Sequence, residues 1–254
     1  MLTRAGRLLF RWRSFTPVPL VLLALPLLWR SRGAASPGWL LGGLALCALG
    51  QALRAWVLGQ VRDGTSGQNE KLTAVSLNST GPYALTRNPL YLGNFAITLG
   101  LCLVAHDPRL LALVSALFGL QYRAIIAAEE DFLRGQFGAD YDAYCARVPR
   151  FWPRFAAAAP ASIEGAASSP RPWDWRRALR KEHNPAAAWA ALAIVLVAAD
   201  RLRTSGLGVR ALWPFALALL ITAFVWLGIK GWKHRWLHGG FTEDLRRRLR
   251  ETAR

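Results

Sequence analysis

Six apolar runs divide the chain, at about residues 15–29, 38–58, 90–105, 110–128, 186–199 and 211–229, with charge concentrated in the stretches between them. Runs of this kind predict membrane-crossing helices, although several are shorter than the ~20 residues that an upright crossing needs. The first and fifth runs are the weakest of the six. The expected fold is all-α: a polytopic integral membrane helical bundle of about six transmembrane helices.

Composition and charge then set the orientation. Hydrophobic residues make up 53% of the 254, yet 32 Lys and Arg stand against 15 Asp and Glu, a balance foreign to soluble enzymes and disordered tails. With the N-terminus cytoplasmic, 24 of the basic residues fall in inner segments and 6 in outer ones, which predicts that both termini lie inside. The net charge of +17 is spread over every inner loop, so it reads as membrane-surface charge rather than a nucleic-acid footprint. Arg30 and Arg32 follow the first run directly, which favours a retained anchor over a cleaved secretory signal.

The chain divides into a module over 1–155, a linker over 156–172 rich in Ala, Ser and Pro, and a hairpin with a basic tail over 173–254. The tail from Phe241 can form a short helix with Leu245 and Leu249 on one face. Gly42, Gly43, Gly50 and Gly59 suit close helix packing, within one chain or between two. Cys47, Cys102 and Cys145 are isolated from one another and imply neither a disulfide framework nor a zinc site. His234 and His238 have the i, i+4 spacing of metal ligands, but beside Lys230, Lys233 and Arg235 they read as juxtamembrane polar residues, and no metal is expected.

Three polar motifs interrupt this apolar pattern: Gln68-Asn-Glu-Lys71, the stretch GPYALTRNPLYLG over 81–93, and the stretch from Glu129 to Pro149. The inferred topology puts all three on the cytoplasmic side. Gly81-Pro82 and Asn88-Pro89 break helical geometry, which predicts an ordered loop entering the third span. That loop presents Tyr83, Arg87 and Tyr91 beside free backbone groups, either to bind a ligand with an aromatic base or to anchor the chain at the interface. The adjacent Glu129 and Glu130 close a span, where the helix dipole disfavours anions unless a cation compensates. Arg87, Arg123, Arg134, or an amino or sulfonium group of a ligand would each serve.

Taken in this order and spacing, Gln68–Lys71, the Gly-Pro-Tyr and Arg-Asn-Pro-Leu-Tyr-Leu-Gly runs, the Glu pair, FGxxYxxY and Arg-Val-Pro resemble the membrane-embedded isoprenylcysteine carboxyl methyltransferases. The resemblance extends to their bacterial relatives, phospholipid methyltransferases included, and covers about residues 67–153. It implies a membrane enzyme that binds S-adenosylmethionine in cytoplasmic loops and methylates a lipid-like or prenylated acceptor arriving from the bilayer. It implies cofactor contacts at Gln68, Leu77, Tyr83, Arg87, Asn88, Pro89, Tyr91, Glu129 and Tyr144, with Glu129 meeting the cofactor's ammonium group and residues 147–149 closing over it. A bacterial inner membrane is the expected location.

Two positions depart from that family. Asn88 stands where the eukaryotic enzymes have histidine before the proline, and asparagine cannot titrate near neutral pH. Ile125 stands where they carry a substrate-associated arginine, while Arg123 lies roughly 200° away around a helix axis. Transfer from a sulfonium is an in-line displacement, so the protein's work is alignment and exclusion of water. A carboxylate acceptor is already nucleophilic and Arg123 is a candidate to orient it, whereas an amine acceptor needs a base, for which Glu130 is the candidate. Carboxyl O-methylation is the leading expectation and phospholipid or amine N-methylation the alternative. An NADPH-dependent membrane reductase and a non-catalytic membrane scaffold are the further readings.

Overall fold

A computed structural model of the chain describes residue 6 and residues 8–10, 36–61, 74, 76–155, 172–205 and 208–252, with the side chains of 205, 209 and 234–252 outside that description. The elements are α1 (Pro37–Gln60), α2 (Pro82–Leu85), α3 (Pro89–Val104), α4 (Pro108–Phe137), α5 (Ala139–Arg147), α6 (Trp175–Ser205), a 3-10 turn (Val209–Leu212) and α7 (Trp213–Thr252). Helices α1 to α4 each begin on a proline, whose fixed φ and missing N–H suit a first turn. The Asp107 carboxylate caps α4 by accepting from the backbone N–H groups of Arg109 and Leu110.

The protein is an all-α polytopic membrane bundle with four long apolar candidate spans among the described residues, not six: 37–60, 108–137, 175–204 and 210–233. The first expected span, 15–29, lies outside the described residues. The third is the 16-residue α3, about 24 Å at 1.5 Å per residue, short of a ~30 Å hydrocarbon core. It is apolar because it packs between α1, α4 and α6. The fifth apolar run reads from sequence as starting after Pro185, but α6 passes through that proline and begins ten residues earlier, at Trp175. Contacts on both sides hold the turn before it: Glu182 to Arg54, and Asn184 to Trp226.

Successive helices run antiparallel. Along the α1–α3 seam the backbones meet: a β-carbon at Gly43 would lie 2.6 Å from the Gly100 carbonyl oxygen, and one at Gly50 2.6 Å from that of Gly93. Gly43 and Gly50 thus pack within one chain. Gly59 receives the Trp173 ring, whereas Gly42 meets nothing within 4 Å. One apolar core joins Cys102, Val104, Leu110, Val114 and Leu196, tying α6 to the turn between α3 and α4. The tail that reads from sequence as a separate short helix continues α7, which extends to Thr252.

Candidate functional site

The antiparallel arrangement gathers two of the polar motifs, 81–93 and 129–149, at one end of the bundle, where α3 begins and α4 ends, while Gln68–Lys71 lies outside the described residues. Gly81 turns the chain at φ 61°, and α2 follows with Tyr83 in its single turn. At the other motif, Gly138 ends α4 and starts α5 at φ 51°, a conformation that glycine adopts without strain. The spacing in FGxxYxxY then has a plain physical reason. One residue past this turn, α5 places Tyr141 and Tyr144 three apart on one face, buried with Leu77 and Val148.

Tyr91 and Glu129 meet at the centre. The Tyr91 hydroxyl donates to Glu129 Oε1 at 2.7 Å, with Tyr91 packed against Phe10, Ile125 and Ile126. Burial pushes the Tyr83 phenol up, and the negative charge of Glu129 close by raises it further. The phenols of Tyr144 and Tyr141 are raised mainly by burial too. These three side chains therefore act near neutral pH as hydroxyl donors and not as bases. Tyr144 does so visibly, donating to the Tyr83 carbonyl at 2.7 Å.

Glu130, next in sequence, faces different partners. Arg87 Nη1 lies 2.9 Å from its Oε1, and Arg150 reaches the same carboxylate through Nε and Nη2. Arg134 pairs with Asp142 at 2.8 Å and takes no part. Arg87 also donates through Nη1 to Cys145 Sγ at 2.7 Å, while its buried Nε has no hydrogen-bond partner among the described residues.

A strap of residues 149–154 lies along the 85–88 loop and is held through the main chain. The Arg87 backbone N–H donates to the Pro149 carbonyl at 2.9 Å, and the Arg154 N–H donates to the Leu85 carbonyl at 3.0 Å. Buried Thr86 donates its hydroxyl to the Phe151 carbonyl at 2.8 Å, and the Asn88 side-chain amide donates to the Arg150 carbonyl at 2.7 Å. Asn88, in the place where the resembled enzymes carry histidine, thus acts as a donor to this strap.

Of the residues expected from sequence, Leu77, Tyr83, Arg87, Asn88, Pro89, Tyr91, Glu129, Glu130 and Tyr144 converge here, while Gln68 lies outside the described residues. Arg123 does not converge. It is exposed on α4 with no hydrogen bond or ion pair to a described residue, whereas Ile125 is fully buried against Tyr91. Sequence reasoning missed Arg150, Thr86 and Phe10. The place of Arg150 directly after Arg-Val-Pro was a usable signal, but nothing in sequence pointed to the contact of Phe10. Among the described residues no group of three or more His, Cys, Asp or Glu gathers as a metal site.

Residues 39–140, spanning α1 through α4, match the family model described as phospholipid methyltransferase. Over 81 residues the chain is 37% identical to the nickel-cobalt-cadmium resistance protein NccN of Alcaligenes xylosoxydans xylosoxydans, covering 32% of this chain and 38% of that protein. Over 79 residues it is 37% identical to the cobalt-zinc-cadmium resistance protein CzcN of Cupriavidus metallidurans, covering 31% and 36%. The matches thus span little more than a third of the length of these relatives. No solved structure matches the chain. The matched stretch carries the loop, the Tyr91–Glu129 pair and Glu130, and residues 39–140 of this chain form a domain of the phospholipid methyltransferase family.

Proposed function

We propose that this protein transfers a methyl group from S-adenosylmethionine to a membrane-resident amphiphile, by carboxyl O-methylation of a prenylcysteine-like or other lipid acceptor. The observation that carries this reading is the Tyr91–Glu129 hydrogen bond, set inside a domain of this family at the mouth of the bundle.

The side chains there suit such a cofactor. Glu129 supplies an anion for an ammonium group, and the unpartnered Nε of Arg87 among the described residues supplies a donor for a carboxylate. Tyr83, Tyr91 and Tyr144 supply aromatic rings for a base to lie against, with Leu77, Asn88 and Pro89 framing the loop and Gln68 completing the motif in sequence. When bound, the cofactor supplies an electrophilic methyl group on a sulfonium. The chain's own work is then mechanical and electrostatic. Tyr91 orients the Glu129 carboxylate, and the 149–154 strap keeps water from the loop.

Geometry also favours a carboxylate as the methylated group. An amine acceptor would have to lose a proton first, and the two oxygens of Glu130 are taken by Arg87 and Arg150. We therefore assign Glu130 as a tether of the loop and strap rather than a base. Arg123, exposed on α4, fits a bilayer-facing contact better than one at the reacting group. The excess of basic residues at the motif end of the bundle supports a cytoplasmic site, both termini inside, and a bacterial inner membrane.

The test is transfer of labelled methyl from S-adenosylmethionine to host membrane extract by the purified protein in lipid, beside a Glu129→Ala variant. Base-labile label on the product, lost in the variant together with cofactor binding, is the expected result. Base-stable label would move the reading to N-methylation. A wild-type protein that binds no cofactor would overturn the reading in favour of a reductase or a scaffold.

A further inference from the structure

The C-terminal hairpin lies outside the matched domain, yet one of its carboxylates sits in the bundle interior. Glu182 on α6 accepts from Arg54 on α1 through both of its oxygens: Nη2 to Oε1 at 2.7 Å, and Nε to Oε2 at 2.8 Å. The pair is well shielded, with side-chain exposures of 14% for Arg54 and 5% for Glu182. Gln51 donates to the same carboxylate at 2.7 Å and accepts from the Trp189 indole at 2.9 Å.

On its other side the guanidinium leads toward the candidate site. Arg54 Nη1 donates to the Asn94 side-chain oxygen, and the Asn94 amide donates to the Tyr122 hydroxyl at 3.1 Å. The Tyr122 ring stacks on Phe118 at 3.9 Å and meets Tyr91 edge-on at 4.7 Å. Tyr91 in turn donates to Glu129. Space for this path is made by Gly93, where a β-carbon would lie 2.6 Å from Arg54 Cγ. The path crosses α6, α1, α3 and α4 without a gap.

We propose that Glu182 and Arg54 are positioning residues for the methyl-transfer site, through which the C-terminal hairpin sets the Tyr91–Glu129 geometry by way of Asn94 and Tyr122. This rests on the reading of Tyr91 and Glu129 as cofactor contacts. Two physical points separate positioning from mere cohesion. A buried ion pair contributes little net stability compared with well-packed apolar side chains of the same size, so cohesion alone gives little reason for charges here. A bidentate guanidinium, by contrast, has a fixed plane, and that plane determines where Nη1 meets Asn94.

The test uses the full chain in lipid nanodiscs with an Arg54→Met/Glu182→Leu double variant, which leaves no unpaired buried charge. Turnover, cofactor affinity, acceptor KM and hydrogen–deuterium exchange are measured for it, for Tyr122→Phe and for the triple variant. The expected result is a wild-type melting temperature, an unchanged acceptor KM, and turnover lowered by about tenfold to a hundredfold, the loss that a ~1 Å misplacement brings. Tyr122→Phe should give a similar loss that does not add to that of the double variant. Exchange should quicken over residues 88–95 and 121–130 while residues 108–115, at the far end of the bundle, keep the wild-type rate. Unchanged turnover and exchange in a folded double variant would overturn the proposal. Should the wild-type protein bind no S-adenosylmethionine, the functional reading fails separately and exchange alone decides the coupling: quickened over 88–95 and 121–130 it stands, unchanged it falls.

Discussion

Replacing Glu130 with alanine should cost far more than removing Arg150, although both belong to one ion-pair cluster. Arg87 and Glu130 lie 2.9 Å apart with side-chain exposures of 15% and 12%, whereas Arg150 is 46% exposed. An exposed pair is worth about 0.2–1 kcal/mol, so Arg150→Met should fall within that range. Removing one partner of a buried pair leaves an uncompensated charge and costs about 3–5 kcal/mol. After Glu130→Ala, the Arg87 guanidinium keeps only its Nη1 contact with Cys145 among the described residues, because its Nε already has no partner there. We therefore expect a loss of about 3 kcal/mol for Glu130→Ala, allowing for the water that reaches this end of the bundle. The assay is equilibrium unfolding in mixed micelles over a cycle of Arg87→Met, Glu130→Met and the double variant. A coupling of about 2 kcal/mol is expected, with the double variant more stable than Glu130→Met alone. Equal losses for Glu130→Ala and Arg150→Met, or a coupling below ~0.5 kcal/mol, would refute the tether assignment.

Tyr91→Phe removes one hydrogen bond to Glu129 and keeps the ring, so cofactor affinity measured by titration calorimetry should fall by about 1 kcal/mol, roughly fivefold, with folding unchanged. Gly50→Ala puts a β-carbon 2.6 Å from the Gly93 carbonyl oxygen and should destabilise the protein by about 1–3 kcal/mol. Gly42→Ala, which meets nothing within 4 Å, should leave the melting temperature unchanged or raise it through helix propensity. The buried phenols of Tyr141 and Tyr144 hold their protons to higher pH than the unfolded chain does at its ordinary value of 10.0. Their contribution is therefore present below pH 10.0 and is lost as pH rises toward the folded values. The unfolding midpoint should decline from about pH 10 upward, and Tyr141→Phe or Tyr144→Phe should flatten that decline.

The parts of the site that follow from local backbone rules were legible in the sequence. The Gly-Pro and Asn-Pro breaks forecast the ordered loop, and the loop is where α2 and the start of α3 stand. What escaped depends on partners distant in sequence. Arg54 reads as a charge within a span, and only the fold supplies Glu182, 128 residues away, to neutralise it. Apolar runs count hydrophobicity without saying what covers it, so the 16-residue α3, packed among α1, α4 and α6, read like a full membrane span. The fifth apolar run starts only at residue 186, yet α6 already runs from Trp175 through Pro185, with interhelical contacts in the turn before that proline. The Glu pair shows both sides of this limit: cations were expected from a helix ending near residue 128, but α4 runs on to Phe137, and it is the fold that brings Arg87 and Arg150 to Glu130.

The glycine seam between α1 and α3 also bears on traffic through the bilayer. At Gly43 and Gly100, and again at Gly50 and Gly93, main chain touches main chain, so an acyl or prenyl tail has no slot to slide through on that flank. Under the function proposed above, an amphiphile leaving the leaflet for the Tyr91–Glu129 pair would have to come in by another side of the bundle. On that reading the seam would do for the lipid what a closed door does in a corridor: it would remove one direction of approach and leave the other flanks of the bundle to admit the headgroup.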